Sequence, residues 1–128
     1  ILYDCHSIRS RIPHLFDGVL PDLNIGDNGG ATCAPAITDA VRSVAAQSPY
    51  SFVINGRFKG GWTTRRYGRP IEGVHAIQME MRQSLYLAQE APPFDYDPAR
   101  ATELRESLRV ILRSVSALVP SLAGRARA

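Results

Sequence analysis

The first three residues, Ile1-Leu2-Tyr3, form a short apolar run that stops at Asp4-Cys5-His6-Ser7 and is soon punctuated by Pro13 and Gly18. This is the pattern of a buried strand that ends and enters a loop. Between Asp17 and Pro35 stand Gly18, Pro21, Gly26, Gly29 and Gly30, too much turn chemistry for a regular element, so a long shaped loop is expected. Loops of that length commonly carry function. Helical spacing follows at Ile37, Ala40, Val41, Val44 and Ala45, with Thr32 or Ala34 near the start and Pro35 tolerated in the first turn. Tyr50 to Ile54 reads as a strand delivering Asn55-Gly56. Val74 to Met81 alternates, with His75, Ile77 and Met79 on one face and Ala76, Gln78 and Glu80 on the other. After Pro92-Pro93, Asp97-Pro98 makes a cap and first-turn pair for a last helix, whose apolar stripe is Leu104, Leu108, Ile111, Val115 and Leu118. The order strand, helix, strand, loop, strand, helix implies a layered α/β sheet.

Composition narrows the class. The chain has 128 residues, 45% hydrophobic and 21% charged, one domain's worth with enough apolar surface for a real core. Uncharged runs such as Ala31 to Thr38 are far shorter than a membrane span needs, which excludes a transmembrane helix. The net charge of +3 and the pI of about 9.2 raise nucleic acid as a partner. However, residues 1–99 hold nine Lys and Arg against ten Asp and Glu, while 100–128 hold six Arg against two Glu. The excess thus sits on the last helix and tail, spaced as a solvated face and without base-stacking aromatics, so nucleic acid is not the expected partner. Two cysteines, Cys5 and Cys33, make no disulfide framework, and a reducing cytoplasm is the default compartment. The start carries neither an initiator Met nor a leader, and reads as a polypeptide joined in mid-fold.

Three features can carry chemistry. Period-two geometry puts Asp4 and His6 on one strand face and Cys5 on the other, so an imidazole beside a carboxylate suits a metal ligand with an outer partner. A hydrogen-bonded structural histidine is the alternative. Glu80 is a carboxylate within an apolar β pattern, where desolvation tunes it for general acid or base work unless an arginine pairs with it. The stretch from Arg57 to Pro70 holds five cations, three glycines and no carboxylate, the composition of an anion-binding loop. It lacks the Gly-Lys-Ser/Thr of a nucleotide phosphate loop.

Five strings, in order, carry a resemblance: Tyr3 to Ser10, Leu15-Phe16-Asp17-Gly18, Leu20 to Gly26, Asn55 to Gly61, and Gly73 to Glu80. Together they resemble the C-terminal half of N-formylglutamate amidohydrolases, over roughly residues 1–90. The resemblance implies zinc-dependent hydrolysis of N-formyl-L-glutamate to formate and glutamate in histidine degradation. It also implies a three-layer α/β/α fold with a mixed sheet, phosphorylase/hydrolase-like as in zinc carboxypeptidases and aspartoacylase. In that pattern His6 is a zinc ligand and Glu80 the general base. Asp4, Ser7 and His75 are outer-sphere or structural neighbours, and Asn55, Arg57, Lys59, Arg65 and Tyr67 hold the small anionic substrate. The family's His-x-x-Glu is missing here, since Arg9, Asp17 and Gln78 stand three residues after His6, His14 and His75. Residues 1–128 are therefore expected to be the C-terminal part of one amidohydrolase domain, without the upstream ligands and inactive alone. Two alternatives stay open: another N-acyl amino acid as substrate, or a non-catalytic anion-binding module.

Overall fold

The computed structural model describes residues 1–123; Arg125 and Arg127, part of the basic tail, lie outside the described residues. Four strands, β1 (Leu2–Ile8), β2 (Leu23–Gly26), β3 (Phe52–Ile54) and β4 (Ala76–Arg82), form one mixed sheet in the order β1-β4-β2-β3. β1 runs parallel to β4 and β2 parallel to β3, while β2 and β4 are antiparallel. β2, the helix α1 (Pro35–Gln47) and β3 make a crossover unit, which is how short parallel strands are joined.

The alternation of each strand decides the layers. Leu23 and Ile25 of β2, with Ile77, Met79 and Met81 of β4, pack with Ile37, Val41 and Ala45 of α1. The long C-terminal helix, α3 (Pro98–Ala117), closes that core with Leu104, Ile111 and Val115. The opposite sheet face carries a six-residue helix, α2 (Trp62–Tyr67), packed on β1 and β4. Helices on both faces of a mixed sheet give α/β/α layering, with the second outer layer reduced to α2. α3 begins as its sequence dictates: Asp97 Oδ1 accepts from the backbone N–H of Ala99 and Arg100, and Pro98 occupies the first turn. A short helix, α4 (Val119–Ala123), follows it.

Three local expectations are corrected. β1 extends past the apolar run to Ile8, because its backbone ladders with β4 through Ser7 and Ile8; Asp4 and His6 thus sit within the strand rather than at its end. The Asp17–Pro35 segment contains β2, fully buried between two neighbours that override its turn-prone composition. The cationic segment contains α2, bounded by Gly61 and Gly68. No helix among the described residues is long and apolar enough to cross a membrane, and Cys5 and Cys33 are both free thiols.

Candidate active site

Parallel pairing of β1 with β4 sets His6 opposite Glu80 and Asp4 opposite Gln78, so all four side chains share the face that the core helices leave open. A cavity of about 500 Å³ lies over them. Its other wall is the 57–65 segment, including Arg57, Lys59 and Arg65. That segment approaches closely because of Gly26, where a Cβ would sit 2.5 Å from the Lys59 carbonyl carbon. The Asn28 N–H donates to the Lys59 carbonyl at 2.6 Å, tying the loop after β2 to the cationic wall.

Glu80 is the buried carboxylate of this face, with only 8% of its surface accessible. Burial pushes its carboxyl above the usual range; His6 partly offsets this and the neighbouring Asp4 adds to it. It makes no ion pair among the described residues, so the reading that an arginine neutralises it is not what the fold does. Asp4 Oδ1 accepts from His6 Nε2 at 2.6 Å. Its other oxygen, Oδ2, accepts from the Thr64 hydroxyl at 3.1 Å. Gln78 Oε1 accepts from the Gly61 N–H, which pins the start of α2 over β4.

The cations divide. Arg57 lines the cavity while its Nε donates to the Leu15 carbonyl and its guanidinium lies 5.6 Å over the Phe58 ring. Arg65 lines it too, steadied by the Gly60 carbonyl at 2.6 Å. Lys59 completes the wall. Arg69 lies elsewhere, paired with Glu72 on the surface. Three cations over a face bearing two carboxylates leave a cavity that favours anionic ligands.

Four of the named residues lie away from the cavity, His75 among them on the face opposite Glu80 where the β4 alternation already put it. Asn55 uses its side chain locally: Oδ1 accepts from the N–H of Asp27 and Gly29, and Nδ2 donates to Asp27 Oδ1. Tyr67 is exposed at the far end of α2, edge-on to Trp62 at 6.1 Å. Ser7 falls on the opposite face, as strand alternation requires, and shares a hydrogen bond with the Tyr86 hydroxyl. His75 precedes β4 and is buried, its Nδ1 accepting from the Ala34 N–H ahead of α1; burial lowers its pKa. Of these, His75 lines a second cavity rather than this one. Gln78 and Thr64 are the residues that sequence reasoning left without a role. Gln78 was detectable from the β4 alternation, whereas nothing in the local sequence marks Thr64.

The donor set bears on metal binding. His6 offers one imidazole already oriented by a carboxylate, the arrangement that fixes a metal-binding tautomer. Among the described residues no group of three or more His, Cys, Asp or Glu can hold a metal ion. The chain thus fits one corner of a zinc site and not the whole of it.

Fold and cavity together define an α/β protein with one packed sheet face and one charged, cleft-forming face. The chain matches the model of the family described as N-formylglutamate amidohydrolase over residues 1–87. It is 50% identical over 118 residues to a Pseudomonas aeruginosa protein named N-formylglutamate deformylase, covering 91% of this chain and 44% of that protein. A Pseudomonas putida protein of the same name is 49% identical over 117 residues, covering 88% of this chain and 43% of its own length. The crystal structure of N-formylglutamate amidohydrolase from Ralstonia eutropha JMP134 matches with a TM-score of 0.75 at 25% identity, covering 93% of this chain and 43% of that one. The chain belongs to the N-formylglutamate amidohydrolase family. It spans less than half the length of these relatives and corresponds to the C-terminal part of the P. aeruginosa protein. The match also extends beyond the roughly 90 residues covered by the motifs, consistent with α3 completing the core.

Proposed function

We propose that residues 1–128 supply the proton-handling and substrate-binding wall of an amidohydrolase that cleaves N-formyl-L-glutamate to formate and glutamate. The observation that carries this reading is Glu80, buried and unpaired, facing His6 across two strands beneath Arg57, Lys59 and Arg65. The relatives' names supply the amide substrate. His6, oriented by Asp4, would hold a zinc ion together with ligands from outside this chain. Zinc bound there would supply Lewis-acid chemistry, polarising the formyl carbonyl and lowering the pKa of water.

This chain's own residues do the rest. Arg57, Arg65 and Lys59 hold the two substrate carboxylates; a dicarboxylic substrate matches a wall of three cations better than a neutral peptide does. Glu80 accepts a proton from the attacking water and returns it to the leaving nitrogen, which requires contacts of about 3 Å with each in turn. The raised pKa that burial gives this carboxyl brings it closer to the range of an efficient general base. A place in histidine degradation, in the cytoplasm, belongs to the same proposal.

The test uses a complete protein carrying this chain as its C-terminal part. Formate release from N-formyl-L-glutamate should require zinc and exceed that from an N-formyl amino acid with a single carboxylate. Dicarboxylate binding without zinc or turnover would replace this reading with a non-catalytic binding module, and preference for an N-acetyl substrate would move the enzyme within its family. Residues 1–128 alone, with one imidazole at the site, should bind zinc weakly and release no formate. Stoichiometric zinc with turnover in that chain would overturn the role of His6 as one ligand among several.

A further inference from the structure

Thr64 is fully buried, yet its hydroxyl serves a polar partner on another element. A helical threonine commonly donates back to the carbonyl four residues earlier. Here that carbonyl belongs to Gly60 and is occupied by the Arg65 guanidinium at 2.6 Å. The Thr64 hydroxyl instead crosses from α2 to β1 and donates to Asp4 Oδ2 at 3.1 Å, while Asp4 Oδ1 holds His6 Nε2 at 2.6 Å. Each carboxylate oxygen of Asp4 therefore has one partner. A carboxylate held through one oxygen rotates about its terminal bond; a second bond on the other oxygen stops that rotation.

Two contacts make α2 a firm support. The Gly61 N–H bonds to Gln78 Oε1, anchoring the helix start to β4. Gly60 adopts φ +127°, a backbone conformation that a side chain would strain, and a Cβ there would come within 3.2 Å of the Thr64 methyl. The threonine is thus packed on one side and hydrogen-bonded on the other. Its methyl and its hydroxyl have separate jobs.

Building on the reading of His6 as a zinc ligand, we propose that Thr64 is a positioning residue that locks Asp4, and through it fixes the His6 imidazole with Nε2 protonated, leaving Nδ1 as the nitrogen free to bind a cation. The nitrogen that carries the proton is set by the hydrogen bond it makes, so loosening Asp4 loosens the tautomer. Thr64→Val removes the hydroxyl at nearly constant volume; Thr64→Ser keeps the hydroxyl and removes the methyl.

The direct readout is the neutral-imidazole tautomer of His6, taken from its ¹⁵N chemical shifts in the complete protein stripped of metal. It should be almost wholly Nε2–H in the parent and in Thr64→Ser, and mixed in Thr64→Val. In the complete protein, zinc affinity measured against a competing chelator should fall about tenfold or more in Thr64→Val, return in Thr64→Ser, and leave the KM unchanged. If Thr64→Val unfolds, Thr64→Ala removes the same hydroxyl while relieving the packing. An unchanged His6 tautomer in either folded variant overturns the proposal. The measurement needs neither zinc nor substrate, so it separates two failures. A loosened tautomer in a protein that releases no formate removes the deformylase reading alone, whereas full formate release with an unmoved tautomer removes the role of Thr64 alone.

Discussion

The two faces of β4 are covered in opposite ways. Ile77, Met79 and Met81 point into a core closed by α1 and α3, while Gln78 and Glu80, one residue away each time, floor a charged cavity. Both sets are buried, but for opposite reasons: the first is covered by apolar side chains, the second by a loop whose backbone and cations approach because Gly26 leaves room. One strand therefore ties the site directly to the packed core. Buried carboxylates are costly, and Glu80 meets that cost in part by a raised pKa, which favours its neutral form.

The comparison is broken most severely on the core side. Met79 is fully buried, and Met79→Ala should destabilise the chain by about 2–5 kcal/mol in a urea titration, through lost burial and an unfilled cavity. Its neighbour should behave in the opposite way. Glu80→Gln removes a buried charge without an ion-pair partner, so stability should hold, while turnover in the complete enzyme falls about a hundredfold or more with zinc and substrate affinity kept. Near-native turnover in Glu80→Gln would sink its role as the base.

A third substitution sharpens the contrast between floor and wall of the cavity. Arg57→Ala or Arg65→Ala should raise the KM for N-formyl-L-glutamate roughly ten- to hundredfold, since a charge-assisted contact is worth about 1.5 to 3 kcal/mol, while kcat changes less. Normal substrate affinity in both variants would make the wall an ordinary surface loop.

The parts of this organisation that were legible in the sequence are those in which one periodicity holds over many residues. α3 is the clearest case, with a cap, a first-turn proline and an apolar stripe all in agreement. β4 is next, its alternation already separating Met79 from Glu80. β2 and α2 were not legible for a physical reason: both are short, and both are held by partners distant in sequence. The alternation in β2 lasts only four residues among turn-prone neighbours, and Thr63 and Thr64 are poor helix formers in α2. What makes α2 a helix is its attachment to Gln78 and Asp4, which no local pattern records. The same limit applies to the site. Asp4, His6 and Glu80 converge as strand alternation requires, whereas Asn55 was assigned by its place in a motif and is held in place by Asp27.

Asp27 tests the seam between the two faces, with the smallest expected effect. Its carboxylate accepts from the Thr38 hydroxyl of α1 on the core side, and from Asn55 Nδ2 and the Gly30 N–H in the loops beside the site. Burial raises its pKa, but these hydrogen bonds outweigh that and leave the carboxyl below its ordinary value. The linkage sign follows. A depressed folded-state pKa contributes stability that is fully present above the unfolded value of about 3.9, and that stability is lost as pH falls through the folded value. The Tm should therefore be insensitive to this group near neutrality and fall in acid. Asp27→Asn should cost about 1 kcal/mol at pH 7 through weakened hydrogen bonds and flatten the acid limb of the Tm profile. Because Asn28 carries the Lys59 carbonyl, the same variant should also raise the KM by a small factor, a modest echo of Arg57→Ala. A variant that loses stability with no change in the acid limb would show that Asp27 does not govern acid unfolding.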